Sequence, residues 1–439
     1  MEFANWARTP PMGWNSWDCY GAAVREEEIR ANAEYMAAKM AKSGWQYVVV
    51  DIQWYEPDAD SSKYRKYAPL EMDGYSRLLP SPKRFPSAAK GAGFKSLADY
   101  VHGLGLKFGI HIMRGIPRQA VHAGAPILGS SATARDVAHP NLICPWNTDM
   151  YGVDAEAEGA QAYYDSIFAL YASWGVDFVK VDDIAESRLY GGPHLAEIGL
   201  IRAAIDRCGR HMVLSLSPGP ASLAQGGALR RKANMWRVTD DFWDKWELLE
   251  DMFDRCERWY PFVGEGRWPD CDMLPLGHIG IRSNDGTGAA GSGSADRRSR
   301  FTPEEQKTMM SLWSIFRSPL MMGGELRDND EATLALLTNP EVLAVNREGA
   351  RPRPIIARDG LGGKAVAWAS DAPDGGTYVA LFNLSDSPRR VGCPLAELGL
   401  EGRRAIRDLW ARADLRLGGE LLERELPPHG SALLKLSVR

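Results

Sequence analysis

The sequence predicts a parallel (β/α)8 barrel followed by an antiparallel β-sandwich, and three observations carry that prediction. Short apolar runs alternate with helix-like stretches from about residue 10 to residue 330, the pattern of a parallel sheet covered by helices. Polar side chains close one apolar run after another, and a barrel gathers such strand ends around a single mouth. After about residue 345 the pattern changes to short strands broken by Gly, Asp and Pro turns, which reads as a sandwich. The division places a catalytic barrel at 1–340 and a β-sandwich domain at 345–439. No G-x-G-x-x-G follows the first strand and no G-x-x-x-x-G-K-[ST] occurs, so a nucleotide-binding doubly wound sheet is disfavoured.

The elements follow in order. Tyr47-Val48-Val49-Val50-Asp51 reads as a buried strand ending in a carboxylate. Leu106 to Met113, Val176 to Asp182 and Met212 to Ser217 read likewise, and Ala233 to Asp240 is a more polar candidate. Between them, Ile29, Ala33, Met36, Ala37 and Met40 recur at helical spacing within Glu26 to Met40. Ala157 to Trp174 and Pro193 to Cys208 behave similarly. In the last segment, Pro354 to Ala357, Ala365 to Trp368, Tyr378 to Phe382 and Ala432 to Leu436 are strands. Arg282 to Arg300 carries Gly286, Gly288, Gly291 and Gly293 and reads as a mobile loop.

Composition narrows the function. The chain has 439 residues, 45% hydrophobic and 25% charged, with a net charge of −5. This is ordinary globular usage. There is no basic surplus for nucleic acid and no run long enough to cross a membrane. No basic start precedes an apolar stretch at the N-terminus, so a cytoplasmic location is expected. The six cysteines form no C-x-x-C pair and read as free thiols. Fifteen tryptophans are many for this length. Indole faces suit the C–H faces of sugars, and they also fill cores.

Three carboxylates stand out: Asp51, Asp182 and Asp241. Placed at one barrel mouth, Asp182 and Asp241 would bring two carboxyls from different strands to one substrate, as glycoside hydrolysis requires. Lys180 precedes Asp182 by two residues, so strand alternation sends both to the same face. An ammonium there would keep Asp182 ionised. Arg237 lies four residues before Asp241 and binds either the sugar or the nucleophile. For any single Asp, a turn or helix N-cap is the plainer alternative.

Several stretches, taken in order, resemble one family. Thr9-Pro10-Pro11-Met12-Gly13-Trp14-Asn15-Ser16-Trp17 resembles the opening strand and loop of the family 27 glycoside hydrolases, the melibiase-type α-galactosidases. Leu106 to His111 resembles that family's third strand and Trp174 to Asp182 its nucleophile strand. Trp236 to Trp246 resembles its acid/base segment, and Trp268-Pro269-Asp270-Cys271-Asp272-Met273-Leu274 its W-x-D-P-D-M-L signature. Leu320 to Gly324 and Asp408 to Trp410 match the barrel end and the sandwich. The resemblance implies Asp182 as nucleophile and Asp241 as general acid/base, with no cofactor and no metal. It implies Trp17 stacking on the sugar, Asp51, Lys180, Arg237 and Asp272 bonding its hydroxyls, and Met273 lining the pocket.

The sequence departs from the family at three places. The family usually has two carboxylates in a row after the second strand; here they read Asp51-Ile52. The third strand normally ends in Tyr; here it is His111, either a donor to the sugar or a satisfied core histidine. The next residues include Arg114 and Arg118, which either read an anionic or extended substrate or, the preferred reading, belong to a solvated loop. After the fifth strand, Leu216-Ser217-Pro218-Gly219-Pro220-Ala221 is small around Ser217, as in the related α-N-acetylgalactosaminidases. The expected activity is retaining cleavage of a terminal α-D-galactosyl or closely related unit. An α-N-acetylgalactosaminidase or β-L-arabinopyranosidase-like specificity is the alternative. The latter sugar has galactose's ring hydroxyls without the C6 group, which suits an apolar Ile52. A noncatalytic carbohydrate-binding barrel is the reading from another class. A metal-dependent barrel fits less well, because the eight histidines show no H-x-H or H-E-x-x-H spacing. The expected partner is a small oligosaccharide or glycoside, and a homo-oligomer is compatible with the sequence. Tyr64, Tyr67, Tyr75 and Trp146, on two long loops, either form an aglycone subsite or pack those loops.

Overall fold

In the computed structural model, residues 3–187, 189–283, 295–357, 363–400, 404–415 and 420–438 are described. Eight parallel strands carry the first part of the chain: β1 (Met12–Asn15), β2 (Tyr47–Val50), β3 (Lys107–Met113), β4 (Phe178–Asp182), β5 (Val213–Leu216), β6 (Met235–Arg237), β7 (Trp268–Asp270) and β8 (Leu320–Met322). Their order is β7-β6-β5-β4-β3-β2-β1-β8. The ring closes just past β7. There the Leu274 N–H donates to the Met321 carbonyl at 2.8 Å, and the Gly323 N–H donates to the Leu274 carbonyl at 3.0 Å. Closure removes both sheet edges.

Strand alternation sorts the side chains into two layers. Tyr47 and Val49 of β2, Phe178 of β4, Val213 of β5, Met235 of β6, Trp268 of β7 and Met321 of β8 pack together inside the barrel. The intervening residues, such as Val48, Val50, Val179, Val181, Leu214 and Trp236, join the larger core under the helices. That both faces are buried explains why these runs are continuously apolar. Helices α1 (Glu26–Lys39), α2 (Lys95–Gly103), α3 (Ala160–Trp174), α4 (Leu195–Arg207), α5 (Gly226–Lys232), α6 (Trp246–Trp259) and α7 (Pro303–Phe316) surround the ring. Helix α7 opens on a capping box, in which Thr302 Oγ1 accepts from the Glu305 N–H at 3.2 Å and Glu305 Oε2 accepts from the Thr302 N–H at 2.8 Å.

The expected strand over Ala233 to Asp240 is only three residues long, Met235–Arg237. The Val238 N–H is taken by the Asp270 carbonyl at 2.9 Å. The chain then leaves the sheet, which carries Asp240 and Asp241 into the mouth. The glycine-rich part of the predicted mobile loop lies outside the described residues. Its flanks pair, with His278–Ile279 running antiparallel to Arg297–Arg298.

The last part of the chain is antiparallel throughout. A six-stranded sheet has the order β9-β10-β11-β16-β13-β14. These strands are β9 (Ala350–Ile356), β10 (Ala365–Asp371), β11 (Thr377–Asn383), β13 (Arg404–Asp408), β14 (Ala413–Leu415) and β16 (Ser431–Val438). A two-stranded sheet pairs β12 (Arg389–Pro394) with β15 (Leu421–Leu426). Alternation along β10 again sorts the residues: Val366 and Trp368 join the barrel-side core, whereas Ala367 and Ala369 pack with Val391, Cys393 and Leu422 of the small sheet. The imidazole of His429 stacks on Trp246 of α6 at 3.6 Å between centroids. All six cysteines are free thiols.

Gly13 of β1 is fixed by packing. A Cβ at that position would lie 2.4 Å from the Tyr47 carbonyl oxygen on β2. Gly13→Ala should cost about 1–3 kcal/mol as an overpacked core position, read as a lowered midpoint in urea unfolding; an unchanged midpoint would contradict this account.

Candidate active site

The C-terminal ends of the barrel strands surround a cleft of about 260 Å3. Its walls include Trp17, Asp51, Lys180, Asp182, Arg237, Asp241, Asp272 and Met273. Eight of the ten predicted site residues are therefore brought together. A larger hollow, about 580 Å3, opens beside α1 between Arg30, Pro57 and Lys83. It is lined by helix and loop residues, and its charges pair with one another, as in Arg30 with Glu26 and Lys83 with Asp58. The smaller cleft is the one that gathers the predicted carboxylates.

The opening motif builds one wall. Asn15 donates from Nδ2 to Asp51 Oδ2 at 2.7 Å and accepts the Trp17 N–H at 2.9 Å. Ser16 Oγ accepts the Asp51 N–H at 3.0 Å. Lys180 Nζ reaches the same Asp51 Oδ2 at 3.0 Å. Burial alone would raise the Asp51 carboxyl, but Lys180, His111 and the hydrogen bonds from Ile52 and Asn15 hold it below the usual range.

Asp182 lies on β4 in register with Met113 of β3, and Lys180 with His111. His111 Nε2 is 3.1 Å from Asp182 Oδ2, and the Asp183 N–H donates to Asp182 Oδ1 at 2.8 Å. Burial pushes the Asp182 carboxyl up. The His111 hydrogen bond, the charges of His111 and Lys180 and the Asp183 N–H outweigh it and hold Asp182 well below the carboxylate range. His111 itself is buried and does not line the cleft, and its other ring nitrogen has no partner among the described residues. Ser217 is likewise buried and faces a separate hollow of about 20 Å3, shared with Asp270 and Met235, beneath the cleft.

Arg237 bridges the opposite wall. It reaches Asp272 at 2.9 Å and Asp241 at 3.1 Å. Asp272 also accepts the Phe242 N–H at 2.8 Å, which ties β7 to the Asp241 turn. Asp240 Oδ1 accepts the Asp241 N–H at 3.0 Å. The side chain of Asp241 is 58% exposed to water at the mouth, yet the concave walls enclose it. Desolvation there raises its carboxyl, Arg237 opposes, and Asp272 and Asp182 raise it further. One carboxylate held ionised and a second held towards its protonated form face the same cleft. That division suits nucleophilic attack by one and proton donation by the other.

Sequence reasoning missed several residues here. Arg114, read as part of a solvated loop, is 2% exposed. Its Nε donates to the Asp183 carbonyl at 2.6 Å, its Nη2 lies 2.9 Å from Asp183 Oδ2, and its Nη1 lies 3.5 Å from Glu197 Oε2. The correction has a plain cause: two buried carboxylates from β4 and α4 require a cation, and only the fold brings them to Arg114. Of the loop aromatics, Tyr64 and Trp146 line the cleft. Tyr64 packs between Trp17 and Trp146, with centroids 6.1 and 5.5 Å away. Tyr67 is 70% exposed and Tyr75 also lies outside the cleft. Asp18 and Asp183 also line the cleft and carried no signal beyond their neighbours Trp17 and Asp182.

A barrel with this paired-carboxylate mouth is that of a glycosidase. Residues 9–155, 148–290 and 299–348 match the family described as Alpha galactosidase A, and 362–436 match the Alpha galactosidase C-terminal beta sandwich domain. The chain belongs to this family, glycoside hydrolase family 27, and is a glycoside hydrolase acting on glycoside substrates. It is 28% identical to an alpha-galactosidase of Oryza sativa subsp. japonica, over 98% of this chain and 85% of that one. It is 28% identical to an alpha-N-acetylgalactosaminidase of Gallus gallus, over 90% and 84%. Among solved structures it is 62% identical to a family 27 β-L-arabinopyranosidase from Geobacillus stearothermophilus, with a TM-score of 0.96, covering 100% of this chain and 98% of that one. Among the described residues no helix is long and apolar enough to cross a membrane.

Two outcomes follow. Replacing His111 with Phe removes the hydrogen bond that lowers Asp182, so the acidic limb of the kcat/KM–pH profile should move to higher pH; an unmoved limb would contradict the role given to His111. Arg114→Met leaves Asp183 and Glu197 buried without their cation and should destabilise the fold by about 3–5 kcal/mol in urea.

Proposed function

We propose that the enzyme hydrolyses terminal β-L-arabinopyranosides with retention of configuration. Ile52 carries the reading of the glycone. In the resembling α-galactosidases this position is a second carboxylate contacting the sugar beyond Asp51. Here it is an alkyl side chain, 1% exposed and packed into the core instead of lining the cleft, so the position offers the sugar no polar atom. A buried C6 hydroxyl left without a partner would cost about 1–3 kcal/mol. A pentopyranose with galactose's ring hydroxyls and no C6 avoids that cost. The high identity to the Geobacillus arabinopyranosidase supports the same sugar. The hollow beside Ser217, about 20 Å3, is room for about one water, which speaks against an acetamido group there.

The mechanism is a double displacement. Asp182 attacks the anomeric carbon while Asp241 gives its proton to the leaving oxygen. A glycosyl ester on Asp182 results. Asp241, now ionised, takes a proton from water, which attacks the same carbon and frees Asp182. Lys180 and His111 keep Asp182 charged; the cleft and Asp272 keep a proton on Asp241. Trp17 stacks on the sugar, Asp51, Lys180, Arg237 and Asp272 bind its hydroxyls, and Met273 lines the pocket. His111 contributes from beneath, through Asp182, whereas Ser217 faces the separate hollow.

The test is release of nitrophenol from β-L-arabinopyranoside and α-D-galactopyranoside substrates. The arabinopyranoside should give the higher kcat/KM, and Asp182→Asn should lower it by more than about 10^3-fold with an unchanged Tm. Faster galactoside release would overturn the sugar assignment, and retained activity in Asp182→Asn would overturn the mechanism.

A further inference from the structure

One group in the cleft has no task in this mechanism. Asp18 follows Trp17 and lines the same cleft as Asp182, Asp241 and Asp272. It is 3% exposed, and its Oδ2 is buried with no hydrogen-bond partner among the described residues. A buried carboxyl oxygen without a partner is costly and needs a reason. The backbone of Asp18 is well held: its carbonyl accepts from the Gly280 N–H at 2.8 Å and from Ser283 Oγ at 2.9 Å. The fold therefore fixes the main chain and leaves the carboxyl unspent.

The backbone just past β8 packs directly against it. Gly323, just beyond β8, faces the carboxyl. A Cβ on Gly323 would stand 1.9 Å from Asp18 Oδ2. That spacing accounts for a glycine at a position whose backbone is not in the left-handed region.

We infer that Asp18 is a further ligand of the glycone, exchanging hydrogen bonds with a hydroxyl of the sugar held against Trp17. The inference rests on the glycosidase reading above and adds a binding residue to it. The charges facing Asp18 define how it binds. Burial raises its carboxyl well above the usual range, Asp272 and Asp241 raise it further, Lys180 opposes and Asp244 adds to the rise. A carboxyl kept protonated is both a donor and an acceptor. It can therefore meet a sugar hydroxyl without adding charge to an already acidic site. An amide in its place offers the same two functions, whereas a methyl offers neither.

The experiment compares Asp18→Asn, Asp18→Ala and Gly323→Ala with wild type in KM, kcat and Tm. All are assayed on whichever nitrophenyl glycoside, β-L-arabinopyranoside or α-D-galactopyranoside, the wild-type enzyme hydrolyses. Failure of the arabinopyranoside reading thus leaves the Asp18 test standing. Asp18→Asn should keep KM within about twofold. Asp18→Ala should raise KM about tenfold, the size of one hydrogen bond between uncharged partners, with a Tm equal to or above wild type because an unpartnered acid is gone. Gly323→Ala, which leaves Asp18 in place but displaces its carboxyl, should raise KM as well. A KM in Asp18→Ala within twofold of wild type would overturn the proposal. So would a lowered Tm in Asp18→Asn and Asp18→Ala with equal losses of activity, which would mark a structural group.

Discussion

Lys180 and Arg237 are the charges on which the mouth of this barrel depends. Among the described residues the cleft walls hold eight acidic side chains and two cations, these two. Each cation is shared. Lys180 is bonded to Asp51 and lowers Asp182, and Arg237 binds Asp272 and Asp241. Carboxylates so crowded cannot all stay ionised in a low-dielectric site. The sharing decides which of them keep charge.

This division explains the asymmetry between Asp182 and Asp241. Asp182 sits on a strand, beside a second donor, His111, and a backbone N–H. Asp241 sits past a strand end, among acids, with one arm of an arginine that is also committed to Asp272. One fold therefore supplies two carboxyls of the same chemical type with opposite tendencies to hold a proton. Behind the cleft the same rule recurs on a smaller scale. Arg114 compensates Asp183 and Glu197, and Asp183 is still pushed up to about 7 by burial and by Asp182, with Glu197 adding to the rise against Arg114.

The barrel itself is a frame for these charges. Its inner layer of Tyr47, Phe178, Met235, Trp268 and Met321 is apolar, and polar groups such as Lys180 and Ser215 enter above it, towards the C-terminal ends of the strands. The short β6 matters for this reason: a strand continued to Asp240 would have kept those carboxylates in the ladder instead of in the mouth. The closing contact between Leu274 and β8 fixes the Asp272 segment against the opening motif, bringing together residues some 260 positions apart in the chain.

Much of this was written locally. The apolar runs and their polar ends determined the strands, because a strand buried on both faces must be apolar until it reaches the mouth. Two-residue spacing determined that Lys180 and Asp182 share a face. The collinear motifs determined the family. What the chain alone did not determine was pairing at a distance. His111 became a partner of Asp182, since β3 and β4 lie in register; nothing in its own stretch says so. Arg114 became buried because Asp183 and Glu197 converge on it from separate elements. Tyr64 and Trp146 were separated from Tyr67 and Tyr75 only by the path of their loops, for aromatic residues on a loop carry no periodicity that tells the cleft from solvent. Asp18 was indistinguishable from a helix-start aspartate until Gly323 and the cleft walls surrounded it. Local spacing sets which way a side chain points; only closure of the barrel decides what it points at.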